Sequence, residues 1–586
     1  MRQGRLLWFL ALVLAVPTVV ALLWWASGPA RRAQSAYQHA LDSTLVSPRR
    51  ALRASRRFAD PAVVGLVRAI YRHRHGRALW LKPSGVQHRI AALRKATELL
   101  RAHGIDPEPY GLPAALDLVD GRSEPNELLK RPSKLAALEV RLTAGLAASG
   151  RDLLWGRLPP GALDDDWRQG RDSLPLAGPL ERAASRGAIV RQLDAWTPHH
   201  PEYQALRKEL ALLRATKRAG GWTKIGAGPE LRLGMRGARV ALLRKRLAES
   251  GDLGEAQNAA EPDPGSFDRS LASALKRAQL RHGLEPSGRL EHASRAALDR
   301  PIADRIRQLE LNLERWRWLP RTRGEPRIEV NLPDFTFAMW DSGRAVLRMR
   351  VVIGSKTHPT PIFSDSITYI EMNPTWRLPK RILVEEVIPE IEKDTTYLSL
   401  NHMRILFTKK RKPVEVPVAG VDWSAVEADS FPYLVVQDAG ADNPLGRIKF
   451  MCPNEYDVYL HDTPSQGQFH AGARDRSHGC VRLERPLDLA ERLLQEHPSG
   501  SRDSIEAILA AGLWRRLRLK KHVPLDVLYW TAWVDSAGAL QFRDDVYGLD
   551  RRLDAALRSG RTRGFEINPE VLWGEKKLAA DAAEER

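Results

Sequence analysis

The sequence predicts a multidomain α+β protein: a helical N-terminal scaffold, a small three-helix unit, and a mainly-β domain interrupted by a long insertion. Three observations carry this. Apolar residues recur at helical spacing as far as residue 318. From residue 326 they alternate with a period of two, as in strands. The chain has 586 residues, enough for about three or four domains. With 43% hydrophobic and 28% charged residues the composition is globular, which excludes a multi-span membrane protein.

The N-terminus sets the compartment. Arg2 and Arg5 precede an uncharged apolar run, Leu6 to Ala26, of 21 residues. About 20 are needed to cross a bilayer, whereas a signal-peptide core is about 7–15. Residues 1–32 therefore read as a signal-anchor. A cleaved signal peptide is the alternative, because Pro17 interrupts the run and Ala26, Ser27, Gly28 and Ala30 are small. Either reading exports the rest of the chain. Lys+Arg 91 against Asp+Glu 71 gives +20, a surface suited to polyanions. Export removes nucleic acid as the partner and leaves anionic lipid or an acidic polymer. Two cysteines exclude a disulfide framework.

Residues 33–228 read as the helical scaffold. Ile90, Leu93, Ala96, Leu99 and Leu100 mark one amphipathic helix, and Leu206, Leu210 and Leu213 another. His73, His75, His199 and His200 have HRH and HH spacings, which set neighbours on different helix faces, so no metal is assigned to them. Residues 229–300 form a separate unit. Val240, Leu243 and Leu247 define its first helix, Leu271, Leu275 and Ala278 its second, and Ser287–Leu290 leads into a third. Residues 301–325 hold a connector helix with Ile306, Leu309, Leu313 and Trp316 on its apolar face.

The β pattern fills 326–550. Strand signals occur at Ile328–Leu332, Phe335–Met339, Val346–Ile353, Ile367–Met372, Tyr433–Gln437, Arg447–Phe450 and Val458–His461. Leu487–His497 reads as a helix. Asp526–Val534 and Leu540–Val546 read as a hairpin across Asp535–Gly538. Residues 373–446 read as mostly irregular, with a helix at Leu383–Glu392 and a basic cluster at Lys409–Lys412. That is too long for an ordinary connection and predicts a lid. Residues 551–586 read as a helix and a charged tail.

The chemistry concentrates in Tyr459-Leu460-His461-Asp462-Thr463-Pro464 and Ser477-His478-Gly479-Cys480-Val481-Arg482-Leu483. A nucleophilic thiol needs a base, positive surroundings and donors for a developing oxyanion. His461 ends a strand and presents an imidazole from a rigid place. Cys480 follows a glycine, so backbone N–H groups can approach a bound carbonyl. In extended chain Arg482 shares the face of Cys480 and suits a carboxylate. A zinc site from His461, His478 and Cys480 lacks paired ligand spacing, so no metal is assigned there. Cys452 reads as a buried strand residue, since a disulfide to Cys480 would block the nucleophile.

The H-x15-S-H-G-C-V-R order starting at Tyr459-Leu460-His461 closely resembles the signature of L,D-transpeptidases of the YkuD domain family. Val352–Lys356 through Thr360-Pro361 resembles that domain's V-G…T-P stretch. Met372–Trp376 and Asn443–Arg447 resemble its large, lid-bearing (YcbB-like) periplasmic members. Residues 229–300 resemble a three-helix peptidoglycan-binding domain, through L-x-x-G-x-R-G-x-x-V-x-x-L and the Ala274–Leu284 stretch. The resemblance implies a YkuD-type catalytic domain at 326–550 with a lid at 373–446. It implies Cys480 as the acylated nucleophile, His461 as general base, the Asp462 backbone carbonyl orienting His461, and the Gly479 backbone in an oxyanion hole. Arg482, Tyr459, His478 and Ser477 would line the substrate site, and Trp376 would make a lid contact. It further implies 3→3 cross-linking of peptidoglycan stem peptides with release of D-Ala, without cofactor, metal or ATP. A lipoprotein lysine or water as acceptor, and a non-catalytic peptidoglycan-binding scaffold, are the alternatives. Carbapenem-type inhibitors, cell-wall synthesis proteins, and the inner membrane of a Gram-negative bacterium facing the periplasm complete the implied partners and location.

Overall fold

The computed structural model describes residues 28–52, 60–83, 85–86, 89–120, 131–159, 161, 175–254, 263–409, 412–421, 423 and 432–559. The apolar run 6–26, the charged tail beyond 559, and Lys410 and Arg411 of the basic cluster lie outside them. No helix among the described residues is long and apolar enough to cross a membrane.

The scaffold packs its helices around Pro132–Trp155, which is almost wholly buried. Helix Pro61–His73 starts where the Asp60 side chain accepts from the Ala62 N–H at 2.9 Å, with proline in the first turn. A short hairpin, β1 (Leu81–Lys82) and β2 (Gly85–Val86), follows it. The buried Glu139 carboxylate accepts from the Tyr71 hydroxyl at 2.8 Å and from the Trp80 and Leu81 N–H groups at 3.0 and 2.9 Å. These bonds compensate a charge that burial alone would make costly. Helices Ala238–Glu249, Arg269–Arg281 and His292–Asp299 enclose a separate small core around Leu243, Phe267, Leu271 and Leu275.

The strands of the C-terminal half are β3 (Arg327–Asn331), β4 (Thr336–Asp341), β5 (Arg344–Gly354), β6 (Phe363–Met372), β7 (Trp376–Arg377), β8 (Met403–Lys409), β9 (Lys412–Val416), β10 (Tyr433–Gln437), β11 (Ile448–Met451), β12 (Leu460–His461), β13 (Asp475–Ser477), β14 (Val481–Leu483), β15 (Arg515–Leu528), β16 (Ala532–Val534) and β17 (Leu540–Phe542). Nine of them form one sheet in the order β13-β5-β14-β12-β11-β6-β15-β3-β4. The long β5 pairs with β4 through residues 344–350 and with β14 and β13 through residues 351–354, so the sheet closes on itself.

The structure corrects two sequence readings. Asp526–Leu528 ends β15, the longest strand, and only Ala532–Val534 pairs with β17 across the turn. The sequence hides β15 because Arg, Lys and His occupy most outward positions of 515–522. Residues 373–446 are also more regular than expected. They carry a four-stranded antiparallel sheet, β7-β10-β8-β9, over a core of Leu383, Val387, Ile391, Leu398, Ile405 and Val435. The tip around β8 and β9 contributes Met403 and Ile405 to that core and is not an irregular loop.

Connector helix Ile302–Trp316 joins the parts. Its apolar face meets helix Pro201–Arg218 and the β16–β17 hairpin through Leu206, Leu210, Leu309, Leu313 and Trp530. A buried polar cluster locks the same joint: Arg317 donates to Glu314 at 2.8 Å and to the His103 carbonyl, and His103 Nδ1 meets the Tyr203 hydroxyl at 2.7 Å. The three-helix unit docks on the hairpin, where Arg281 donates to the Leu540 carbonyl at 2.8 Å.

Burial, with Arg207 and Arg317 nearby, pushes the His103 pKa down to about 2. Its unfolded value is near 6.5. Above that pH both states are neutral and the full stability is present; below it only the unfolded state takes the proton, so stability is lost as pH falls toward the folded value. We expect His103→Gln to flatten the fall in stability between pH 6.5 and 4.5 by up to about 1.4 kcal/mol per pH unit. Urea unfolding at several pH values checks this, and an unchanged slope would refute it.

Candidate active site

The site follows from the two faces of the sheet. Along β6, β11, β12 and β14, Ile370, Met372, Ile448, Phe450, Leu460, Val481 and Leu483 point into the core. Residues between them face the other way. Strand register aligns these outward residues: Arg516 opposite Glu371, Glu371 opposite Lys449, Lys449 opposite His461, and His461 opposite Arg482. A single polar row thus crosses five adjacent strands, spaced about 4.8 Å apart. Cys480 and Tyr459 stand one step along, beside Arg482 and His461, where the Val481 N–H donates to the Tyr459 carbonyl at 3.1 Å.

His461 is buried, and its Nδ1 donates to the Asp462 carbonyl at 2.5 Å. A carbonyl can only accept, so Nδ1 carries the proton and Nε2 the lone pair. Burial, then the Arg482 charge, pushes its pKa down to about 3, so the imidazole is neutral. Cys480 stays partly exposed, yet its desolvated surroundings raise the thiol pKa; hydrogen bonding from Tyr459 and the charges of Lys449 and Arg482 act the other way. Its sulfur approaches the Asp457 carbonyl at 3.9 Å, and no hydrogen bond joins it to His461. The resting pair is a neutral thiol near a neutral imidazole. Such a pair can react by giving the thiol proton to Nε2 as sulfur attacks.

The turn that carries Cys480 is braced from several sides. Gly479 has φ +115°, a conformation L side chains rarely adopt. The Ser477 hydroxyl donates to the Cys480 carbonyl at 2.6 Å and accepts the Gly479 N–H at 3.2 Å. Thr360 Oγ1 donates to the Gly479 carbonyl at 2.7 Å and accepts the Gly354 N–H at 2.8 Å. His478 turns away from the thiol: its Nε2 lies 2.5 Å from Glu386 of the insertion, and its ring packs against His358, whose Nε2 is 3.7 Å from Glu385. Arg482 donates to Gln468 at 2.8 Å while its Nε is buried without a partner. Trp376 packs with the insertion's own core.

Sequence reasoning missed Lys449, Gln468, Glu386 and the bracing role of Thr360. Lys449 had a signal: a cation in the short apolar strand Ile448-Lys449-Phe450-Met451. Both cysteines are free. Cys452 is buried just beyond β11, donates to the Val458 carbonyl at 3.3 Å, and has its thiol pushed up to about 12 by burial. Among the described residues no three His, Cys, Asp or Glu side chains gather to hold a metal.

Comparison with known proteins places these features. Residues 325–502 match the L,D-transpeptidase catalytic domain of the YkuD family, 65–210 match a "Scaffold domain", and 236–298 match a "Putative peptidoglycan binding domain". The chain therefore carries a YkuD-type L,D-transpeptidase catalytic domain behind a helical region and a peptidoglycan-binding domain. A "Putative L,D-transpeptidase" of Haemophilus influenzae is 31% identical over 249 residues, 42% of this chain. The match spans about half (49%) of that relative's length. Two solved structures are 13% identical: an "Ldtfm-avibactam carbamoyl enzyme" (39% of this chain, 63% of that one, TM-score 0.18) and an L,D-transpeptidase fragment from Xylanimonas cellulosilytica (52% and 99%, TM-score 0.16). Likenesses at these scores decide nothing about the site.

Asp462 is itself held. Its carboxylate accepts the Arg447 and Thr463 N–H groups at 2.8 and 2.7 Å. A Cβ on Gly446, which has φ +60°, would lie 2.4 Å from the Asp462 Cγ. Gly446→Ala should displace Asp462 and with it the carbonyl that aligns His461. We expect a loss of about 1–3 kcal/mol in stability and a fall of roughly tenfold or more in acylation of Cys480 by a carbapenem. Stopped-flow acylation at wild-type rate would show that this contact does not orient the base.

Proposed function

We propose that the protein is an envelope L,D-transpeptidase that forms 3→3 cross-links between peptidoglycan stem peptides through a Cys480 thioester. The observation that carries this is the alignment of Cys480, His461 and Arg482 on one face of the sheet, with His461 neutral and its lone pair on Nε2. Cys480 Sγ bonds to the carbonyl carbon of the third stem residue, a diamino acid, while its proton passes to His461 Nε2. The collapsing tetrahedral intermediate breaks the C–N bond, and the same proton leaves on the amine of D-Ala. The side-chain amine of an acceptor stem then attacks the thioester, sulfur departs, and His461 takes and returns the proton. Bond energy is conserved through the thioester, so no ATP enters. The Cys480 N–H receives the oxyanion, and Arg482, held by Gln468, takes a substrate carboxylate.

The peptidoglycan-binding domain would hold the chain on its polymer, and residues 6–26 would tether it at the inner membrane, facing the periplasm. Cell-wall synthesis proteins are its natural neighbours there. The insertion 373–446 serves as a lid, closed by the pairing of Glu386 with His478 next to the nucleophile. Excluding water favours aminolysis over hydrolysis of the thioester. Acceptors other than a stem amine share the first half-reaction and differ only in the second.

Incubating sacculi with the protein and identifying muropeptides by mass should reveal 3→3 dimers and released D-Ala. Cys480→Ala should abolish both without unfolding. A carbapenem should add its mass to Cys480, not Cys452. Hydrolysed stems without dimers would reassign the acceptor to water, and wild-type turnover by the alanine variant would sink the nucleophile assignment.

For the lid, Glu386→Gln removes one charge of the latch while leaving Cys480 acylable. Amide exchange across 376–409 should speed up several-fold, and the ratio of hydrolysis to transfer should rise. Unchanged exchange would mean the insertion is braced by its own core rather than by His478.

A further inference from the structure

Lys449 lies in the middle of the polar row and has no part in the proposed chemistry so far. It stands directly opposite His461 across β11–β12. Its ammonium sits 3.9 Å from the centre of the Tyr459 ring and 3.9 Å from the Glu371 carboxylate. The side chain is mostly buried, so its charge is weakly screened. Cys480 and Lys449 flank the same tyrosine, whose backbone pairs with the strand that starts just after the thiol.

We infer that Lys449 is a positioning residue for acyl transfer: its ammonium, fixed between the Tyr459 ring and Glu371, governs how readily Cys480 gives up its proton. The inference rests on the proposed role of Cys480 as nucleophile. A cation over an aromatic face is attracted by the ring's negative quadrupole. That contact orders a flexible side chain whose charge then favours negative charge on the neighbouring sulfur. The same charge disfavours protonation of His461, which keeps the base available.

The other groups around Lys449 set the strength of this effect. From the β12 side it meets His461 and Tyr459, and from the β14 end Cys480, on which the Arg482 charge also acts. Glu371 faces it from β6, Arg377 from β7, and Asp457 from the loop before β12. Glu371 is shared, because Arg516 also donates to it at 3.2 Å. Glu371 therefore offsets part of the Lys449 charge felt at the thiol, and Arg516 limits that offset. This predicts opposite consequences for the two partners. Losing the ammonium makes the thiol harder to ionise. Losing the carboxylate frees the ammonium and makes it easier.

The test is the pH dependence of Cys480 alkylation by iodoacetamide in the full chain, followed by intact mass, with Cys480→Ala supplying the background from Cys452. This readout needs no transpeptidase substrate, so it succeeds or fails apart from the cross-linking reading. Lys449→Gln should move the alkylation midpoint up by about one pH unit. Glu371→Gln should move it down, and Lys449→Arg should return it close to wild type. A midpoint unmoved in Lys449→Gln, or moved the same way by Lys449→Gln and Glu371→Gln, overturns the inference. If Lys449→Gln does not fold, the direction of the Glu371→Gln shift decides alone: downward supports it and upward refutes it.

Discussion

The period-two alternation of the sheet is the constraint on which the rest depends. Seven apolar residues, Ile370, Met372, Ile448, Phe450, Leu460, Val481 and Leu483, are buried on one face of four neighbouring strands. Exposing all of them would cost on the order of 10–20 kcal/mol, comparable with or greater than the whole net stability of a typical domain. A one-residue slip in any strand would do this locally and would bury the charged row instead. Core packing therefore fixes the register, and the register places His461 opposite Arg482 and Lys449. The geometry of the proposed site is thus a by-product of the hydrophobic pattern and needs few dedicated contacts between the site's own side chains.

What the sheet does not fix, the loops do by a different means. Cys480, the proposed nucleophile, lies outside the regular ladder, on a turn with Gly479 at φ +115°, so local hydrogen bonds must hold it. Ser477 closes the turn on itself, and Thr360 clamps Gly479 and Gly354 together from a distant segment. The Thr-Pro of the V-G…T-P stretch thereby gains a physical meaning: it ties β5 to the nucleophile turn. Asp462 plays the matching part for the base. Two backbone N–H groups hold its carboxylate, so its carbonyl, one peptide away, can hold the imidazole.

The legibility of the chain follows the range of the interactions involved. Helical spacing revealed Ile90–Ala102, Pro201–Arg218 and Ile302–Trp316 because amphipathic helices record their burial locally. The short motif around His461 and Cys480 was legible because residue types and spacing there are chemically unusual. β15 was not, since its outward positions are cationic and its partners β6 and β3 lie far away in sequence. The same holds for the β8–β9 hairpin, whose flanking Lys409 and Lys412 hid its alternation. Gln468 and Glu386 acquire their roles only through tertiary neighbours, so no local pattern marks them, and Lys449 shows only as a cation in a short apolar strand.

The neutral state of the thiol and imidazole suits the proposed reaction better than a preformed ion pair would. Both halves of the transfer need a base that is unprotonated at rest and an acid only transiently. Burial of His461 supplies the first condition, and its Nδ1 bond to Asp462 stabilises the charge when it forms. A permanently ionised thiolate would be a better leaving group from the acyl-enzyme and would shorten its life. A thiol kept mostly protonated, with Lys449 and Arg482 close enough to favour its ionisation on demand, balances attack against premature loss of the acyl group. The side chain of His478 is engaged by Glu386 at the same turn. The insertion therefore touches the loop that carries Cys480. The insertion is joined to the Cys480 turn through one ion pair, two residues from the thiol, rather than through a long path.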